Sequence, residues 1–178
     1  TNSPSVMMTT VAGNKQAIGY VSLGSLDETQ VKAVQVDGVA ASVDGVKDGS
    51  YSVSRPFNIA TMGEATGLAA DFINFVMSEQ GQAIVEENGY ISEGNTGAFE
   101  STMDSTTGMN SVIDGSYDIG MASREVKDSE LEAGLVSQVI ALDGIAVIVN
   151  LENPINNLTS EQIMQIYTGA VTQWEELQ

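Results

Sequence analysis

Ser105-Thr106-Thr107-Gly108 is the segment of this chain best suited to hold an anion. A serine ahead of a helical pattern sets a hydroxyl and a run of backbone N–H groups where the helix dipole is positive, and Gly108 admits close approach to the backbone. Taken alone, Ser105 also reads as an ordinary helix N-cap. Ser123 follows an apolar strand pattern over 118–122 and stands at its C-terminal end, the place where open α/β sheets take their ligands. Its neighbour Arg124 can give a charge-assisted bond to an oxyanion or pair with Glu125 and Asp128 at the surface, and the residues leave both readings open. Asp118 and Asp143, at strand ends, read as turn caps or orienting groups rather than ligand contacts.

Little else in the chain could do chemistry. With neither cysteine nor histidine among 178 residues, disulfides, thiolate zinc sites, a cysteine nucleophile and the commonest general base are all excluded. Glu86-Glu87 and Glu175-Glu176 are adjacent pairs, and neighbours on a helix point apart, so neither pair forms a glycosidase-like dyad. No serine–lysine spacing and no glycine-rich nucleotide loop is present. The Asp-Gly steps at 37–38, 44–45 and 48–49 lack the spacing and terminal glutamate of a calcium loop and read as turns. The expectation is a binding protein, with no catalytic residues, no metal and no cofactor.

Charge narrows the partners. Twenty-four acidic against 6 basic residues give a net charge of -18, which repels nucleic acid and anionic membranes. Anion binding survives this, because neutral N–H and O–H dipoles act at contact distance while surface charge is screened beyond ~8 Å. No apolar run reaches the ~20 residues that span a bilayer, and Thr1 to Thr10 lack the basic and apolar regions of a signal peptide.

The elements that would position these groups alternate between strand and helix. Strand patterns fall at 17–23, 31–36 and 52–61, with Pro56 near the start of the third. A helical pattern runs over 68–88, with a break expected near Gly81 and a stop at the left-handed cap Gly89. Composition turns to Ser, Thr, Gly, Asn and Glu after Ile91, which marks 92–104 as a linker. Beyond it come a helix at 107–114, the strand at 118–122, an acidic helix at 128–134 and an apolar strand over 139–149. Thr159 and Gln162 form a capping-box pattern ahead of a helix whose buried stripe is Ile163, Ile166 and Tyr167. Such alternation predicts an α/β fold with a mostly parallel sheet flanked by helices.

Several of these stretches resemble the phosphate-binding proteins that serve bacterial ABC-type phosphate importers. The resemblance is carried by Ser105-Thr106-Thr107-Gly108, Val112-Ile113-Asp114-Gly115 and Asp118-Ile119-Gly120-Met121-Ala122-Ser123-Arg124. It continues through 139–150, Asn157-Leu158-Thr159 and 166–174, and it covers 11–14, 17–26, Ser54-Arg55-Pro56-Phe57 and 72–91 as well. Segments similar to the end of the family pattern precede those similar to its beginning, and two loops of that pattern have no counterpart, so the resemblance implies a permuted and incomplete member.

What it implies further is a type II periplasmic-binding-protein-like fold, one lobe largely present and the second partial. Residues 27–91 and 105–149 would form the main lobe, and residues 1–26 and 150–178 the partial second lobe. It also implies inorganic phosphate as ligand, held by Ser105, Thr106, Thr107, Gly108, Ser123 and Arg124, and a membrane permease as partner in an extracytoplasmic setting. Missing strands would leave open sheet edges that favour self-association. The competing expectation is a binding fold kept as a scaffold, with its phosphate site incomplete.

Overall fold

The computed structural model describes residues 3–98 and 119–177. The chain divides into two compact units, Thr1–Ser54 with Gly144–Gln178, and Arg55–Asp143.

In the first unit, helix α1 (Pro4–Ala12) opens with proline in its first turn, where the missing N–H costs nothing. It turns Met8 and Val11 into a core shared with Val21, Val31, Ala146 and Ile148. Strand β1 (Ile18–Ser22) pairs antiparallel with the end of β7 (Leu135–Val149), from Ile18 opposite Val149 to Ser22 opposite Ile145. Strand β2 (Lys32–Ala33) pairs with the same residues of β7, again antiparallel. Enclosed by two neighbours, β7 is buried without interruption from Ala146 to Val149, whereas Leu135 to Gln138 alternate. Residues 27–54 fall in this unit, away from the 55–91 segment with which the sequence groups them, because Val31 packs into its core and β2 into its sheet.

Strand β3 (Gln35–Val36) runs parallel to β8 (Asn157–Leu158). Helix α2 (Val43–Lys47) contains Asp44-Gly45, so the turn expected there is absent. Ser42 caps the helix instead, accepting from the Gly45 N–H at 3.0 Å. The capping box ahead of α6 (Ser160–Thr168) forms as the sequence predicts: Thr159 Oγ1 accepts from the Gln162 N–H at 3.1 Å, and Gln162 Oε1 accepts from the Thr159 N–H at 2.9 Å. Its apolar stripe is less covered than expected. Ile163 and Ile166 are half-buried and Tyr167 is exposed, its ring edge-on to Tyr20 at 6.1 Å, and Ile166 lines a groove with Ile18, Val171 and Trp174.

In the second unit, β4 (Ser54–Met62) pairs antiparallel with β6 (Gly120–Ala122), and β5 (Ile91–Ser92) pairs antiparallel with β7. Helices α3 (Gly67–Val76) and α4 (Glu79–Glu87) join β4 to β5. The helix break falls at Met77–Ser78 rather than near Gly81. Ser78 Oγ donates to the Phe75 carbonyl at 2.6 Å and accepts from the Gly81 N–H at 3.2 Å, so one hydroxyl ends a helix and starts the next. Gly81 is required by the tightness of this junction, since a Cβ there would lie 2.2 Å from the Phe75 carbonyl oxygen. Gly89 takes the left-handed cap at φ 79°, as expected.

The expected linker is partly tied down. The Glu79 N–H donates to the Gly97 carbonyl, the Thr96 N–H to the Met77 carbonyl, and the Glu93 N–H to Gln82 Oε1. The mostly parallel sheet also needs correction. Among the described residues, β3–β8 is the only parallel pair of those with a defined register. Strand–helix alternation suggests successive βαβ crossovers, but β7 comes after its partners in the chain and runs against β1, β2 and β5.

Candidate functional site

Of the six residues assigned to an anion site, Ser105, Thr106, Thr107 and Gly108 lie outside the described residues, as does the helix expected at 107–114. Ser123 and Arg124 lie just past β6 in the second unit. Ser123 is exposed at the C-terminal end of the strand, as its spacing predicts.

The β4–β6 ladder fixes the surroundings of Ser123. Asn58 stands opposite Ala122, Ile59 opposite Met121 and Ala60 opposite Gly120. Asn58 is buried, and its Nδ2 donates to the Arg124 carbonyl at 2.7 Å, which carries β6 alongside β4 beyond its last paired residue. A buried amide must find such a partner, so the contact holds the end of β6 in place.

Arg124 is committed elsewhere. Nη1 and Nη2 donate to Oε2 and Oε1 of Glu130 at 2.9 and 2.7 Å, and Nη1 donates also to the Glu125 carbonyl at 2.9 Å. The surface partner of Arg124 is Glu130, in place of the Glu125 and Asp128 side chains that the sequence suggests. Glu130 lies in α5 (Asp128–Glu132) and accepts also from the Lys127 N–H at 2.9 Å, ahead of that helix. Hydrogen bonds from Arg124, then from Lys127, hold its carboxyl down at about 2, and the pair raises the Arg124 guanidinium.

A second cation stands nearby in the same unit. Arg55, on β4, donates from Nε and Nη2 to Oδ2 of Asp143 at 2.9 and 2.7 Å. The Asp143 side chain is 1% exposed and that of Arg55 45%. The Arg55 Cζ lies 5.5 Å from the centre of the Phe57 ring, which meets Tyr90 edge-on at 5.1 Å. Sequence reading passes over this pair because 88 residues separate its members.

Among the described residues the arrangement consists of a strand-end hydroxyl at Ser123 with two paired arginines in the same unit. Residues 93–178 match the model of the PBP superfamily domain. Phosphate-binding protein PstS 2 of Streptococcus agalactiae is 42% identical over 216 residues, covering 99% of this chain and 73% of the relative. Its namesake in Streptococcus pneumoniae is 35% identical over 215 residues, covering the same shares. The crystal structure of a phosphate-binding protein of a phosphate ABC transporter from S. pneumoniae superposes with a TM-score of 0.82 at 33% identity, covering 100% of this chain and 84% of that one. The chain belongs to the phosphate-binding protein family of the PBP superfamily, and its fold is that of a type II periplasmic binding protein.

Proposed function

We propose that this chain is a solute-binding component of an ABC-type phosphate importer, which binds inorganic phosphate outside the cytoplasm and passes it to a membrane permease. The observation that carries this reading is identity of 42%, across 99% of the chain, with a relative named for phosphate binding. The residues suit the task. Ser123 offers a hydroxyl at a strand end, and Ser105 with the backbone N–H groups of Thr106, Thr107 and Gly108 offers the donors that the family resemblance assigns to phosphate. Arg124 joins them only by leaving Glu130. The protein acts by binding and release, without turnover. No helix among the described residues is long and apolar enough to cross a membrane, which fits a component that works beside a permease rather than within it.

Amide resonances under phosphate titration test the site. Phosphate should shift the resonances of Thr106 to Gly108, and the double variant Ser105→Ala with Ser123→Ala should abolish that shift, whereas Glu86→Ala should leave it intact. A full shift in the double variant overturns the placement of the site.

A further inference from the structure

Side chains on a strand alternate between faces, and residues directly opposite on paired strands share a face. With Asn58 opposite Ala122 as the last pair, β4 runs on through Phe57 beside the point where the chain leaves β6 at Ser123. Arg55, two residues before Phe57, lies on the same face of β4 as that ring. The contact of Arg55 with the ring of Phe57 agrees with this count, while Arg124 is paired with Glu130.

Arg55 is also set up to receive an anion. A buried carboxylate holds two of its nitrogens and an aromatic ring lies beside its plane, yet nearly half of the side chain remains exposed. Its Nη1 has no hydrogen-bond partner among the described residues. A guanidinium already fixed in place loses little rotamer freedom when an oxyanion arrives, and its planar fork matches an oxyanion edge. Because Asp143 balances its charge, what Arg55 offers is a set of oriented N–H donors rather than surplus positive field. Diagonal neighbours across a ladder stand about 7–8 Å apart, so a long arginine side chain on β4 can reach an anion held just past the end of β6.

We propose that Arg55, rather than Arg124, is the guanidinium donor to the phosphate held at Ser123. The inference rests on the phosphate reading above. Equilibrium dialysis with radiolabelled inorganic phosphate at fixed ionic strength tests it, with thermal melts by circular dichroism confirming that each variant is folded. Arg55→Gln should weaken binding by about tenfold or more, the loss of one charge-assisted bond, while Arg124→Gln should cost clearly less. The double variant Arg55→Gln with Asp143→Asn removes the buried charge together with its cation, so it separates the two roles Arg55 could have. A donor to phosphate predicts that the double variant binds as weakly as Arg55→Gln; a purely structural partner of Asp143 predicts recovery. A folded double variant within about threefold of the unaltered chain overturns this inference and leaves the phosphate reading standing. Absence of phosphate binding by the unaltered chain overturns that reading, and this inference with it.

Discussion

Arg124 and Glu130 meet through two hydrogen bonds, 2.9 and 2.7 Å long, and the same Glu130 carboxylate accepts the Lys127 N–H that precedes helix α5. One side chain thereby fixes both the loop after β6 and the start of the helix that follows.

This pairing makes a prediction about acid. The Glu130 carboxyl is held at about 2, below its ordinary 4.5, so its folded-state pKa is depressed. Its contribution to stability is complete above about 4.5 and is lost as pH falls through about 2. Glu130→Gln should melt below the unaltered chain at pH 6, and the gap should narrow steadily towards pH 2. A gap that stays constant over that range contradicts the assignment.

The junction between α3 and α4 makes a steric prediction. A Cβ at Gly81 would lie 2.2 Å from the Phe75 carbonyl oxygen and 2.4 Å from that of Val76, and both are backbone atoms that cannot swing away. Gly81→Ala should cost about 3 kcal/mol or more, read as a lower midpoint in urea at unchanged slope. A change below about 0.5 kcal/mol would show that the junction yields.

Helix α6 tests the capping box. Thr159→Ala removes the hydroxyl that accepts the Gln162 N–H, and about 1 kcal/mol of stability should go with it. Thr159→Ser, which retains the acceptor, should recover most of the loss in the same urea titration.

The buried end of the Arg55–Asp143 pair makes the sharpest stability contrast. Arg55→Ala leaves an almost fully buried carboxylate without its cation and should destabilise by about 3 kcal/mol. Adding Asp143→Asn should return a good part of that. Equal stability of the single and double variants would mean that Asp143 does not depend on Arg55.

What the sequence made legible was local. The Thr159–Gln162 box, the Gly89 cap and the strands around Ile18 and Ile148 are each set by residues within a few positions of one another, and each stands where the pattern puts it. Strand direction was not legible, because β7 meets β1 across more than a hundred residues of chain and alternation carries no sign of how they pair. The helix break was read at Gly81, the louder signal, whereas the Ser78 hydroxyl makes the break and Gly81 only fits it. At the proposed site, the place of Ser123 after a strand could be read from the pattern. The partner of Arg124 could not, since Glu130 reaches it only through the turn into α5, and the place of Arg55 on β4 next to the end of β6 follows only from the β4–β6 register.

Calorimetric titration of the unaltered chain with inorganic phosphate tests the central claim most directly. Saturable binding of one phosphate per chain is predicted, retained in a background of excess chloride and weakened by Ser123→Ala. A titration with no saturable heat, matched by amide spectra that phosphate leaves unmoved, would contradict the assignment of this chain as a phosphate-binding component.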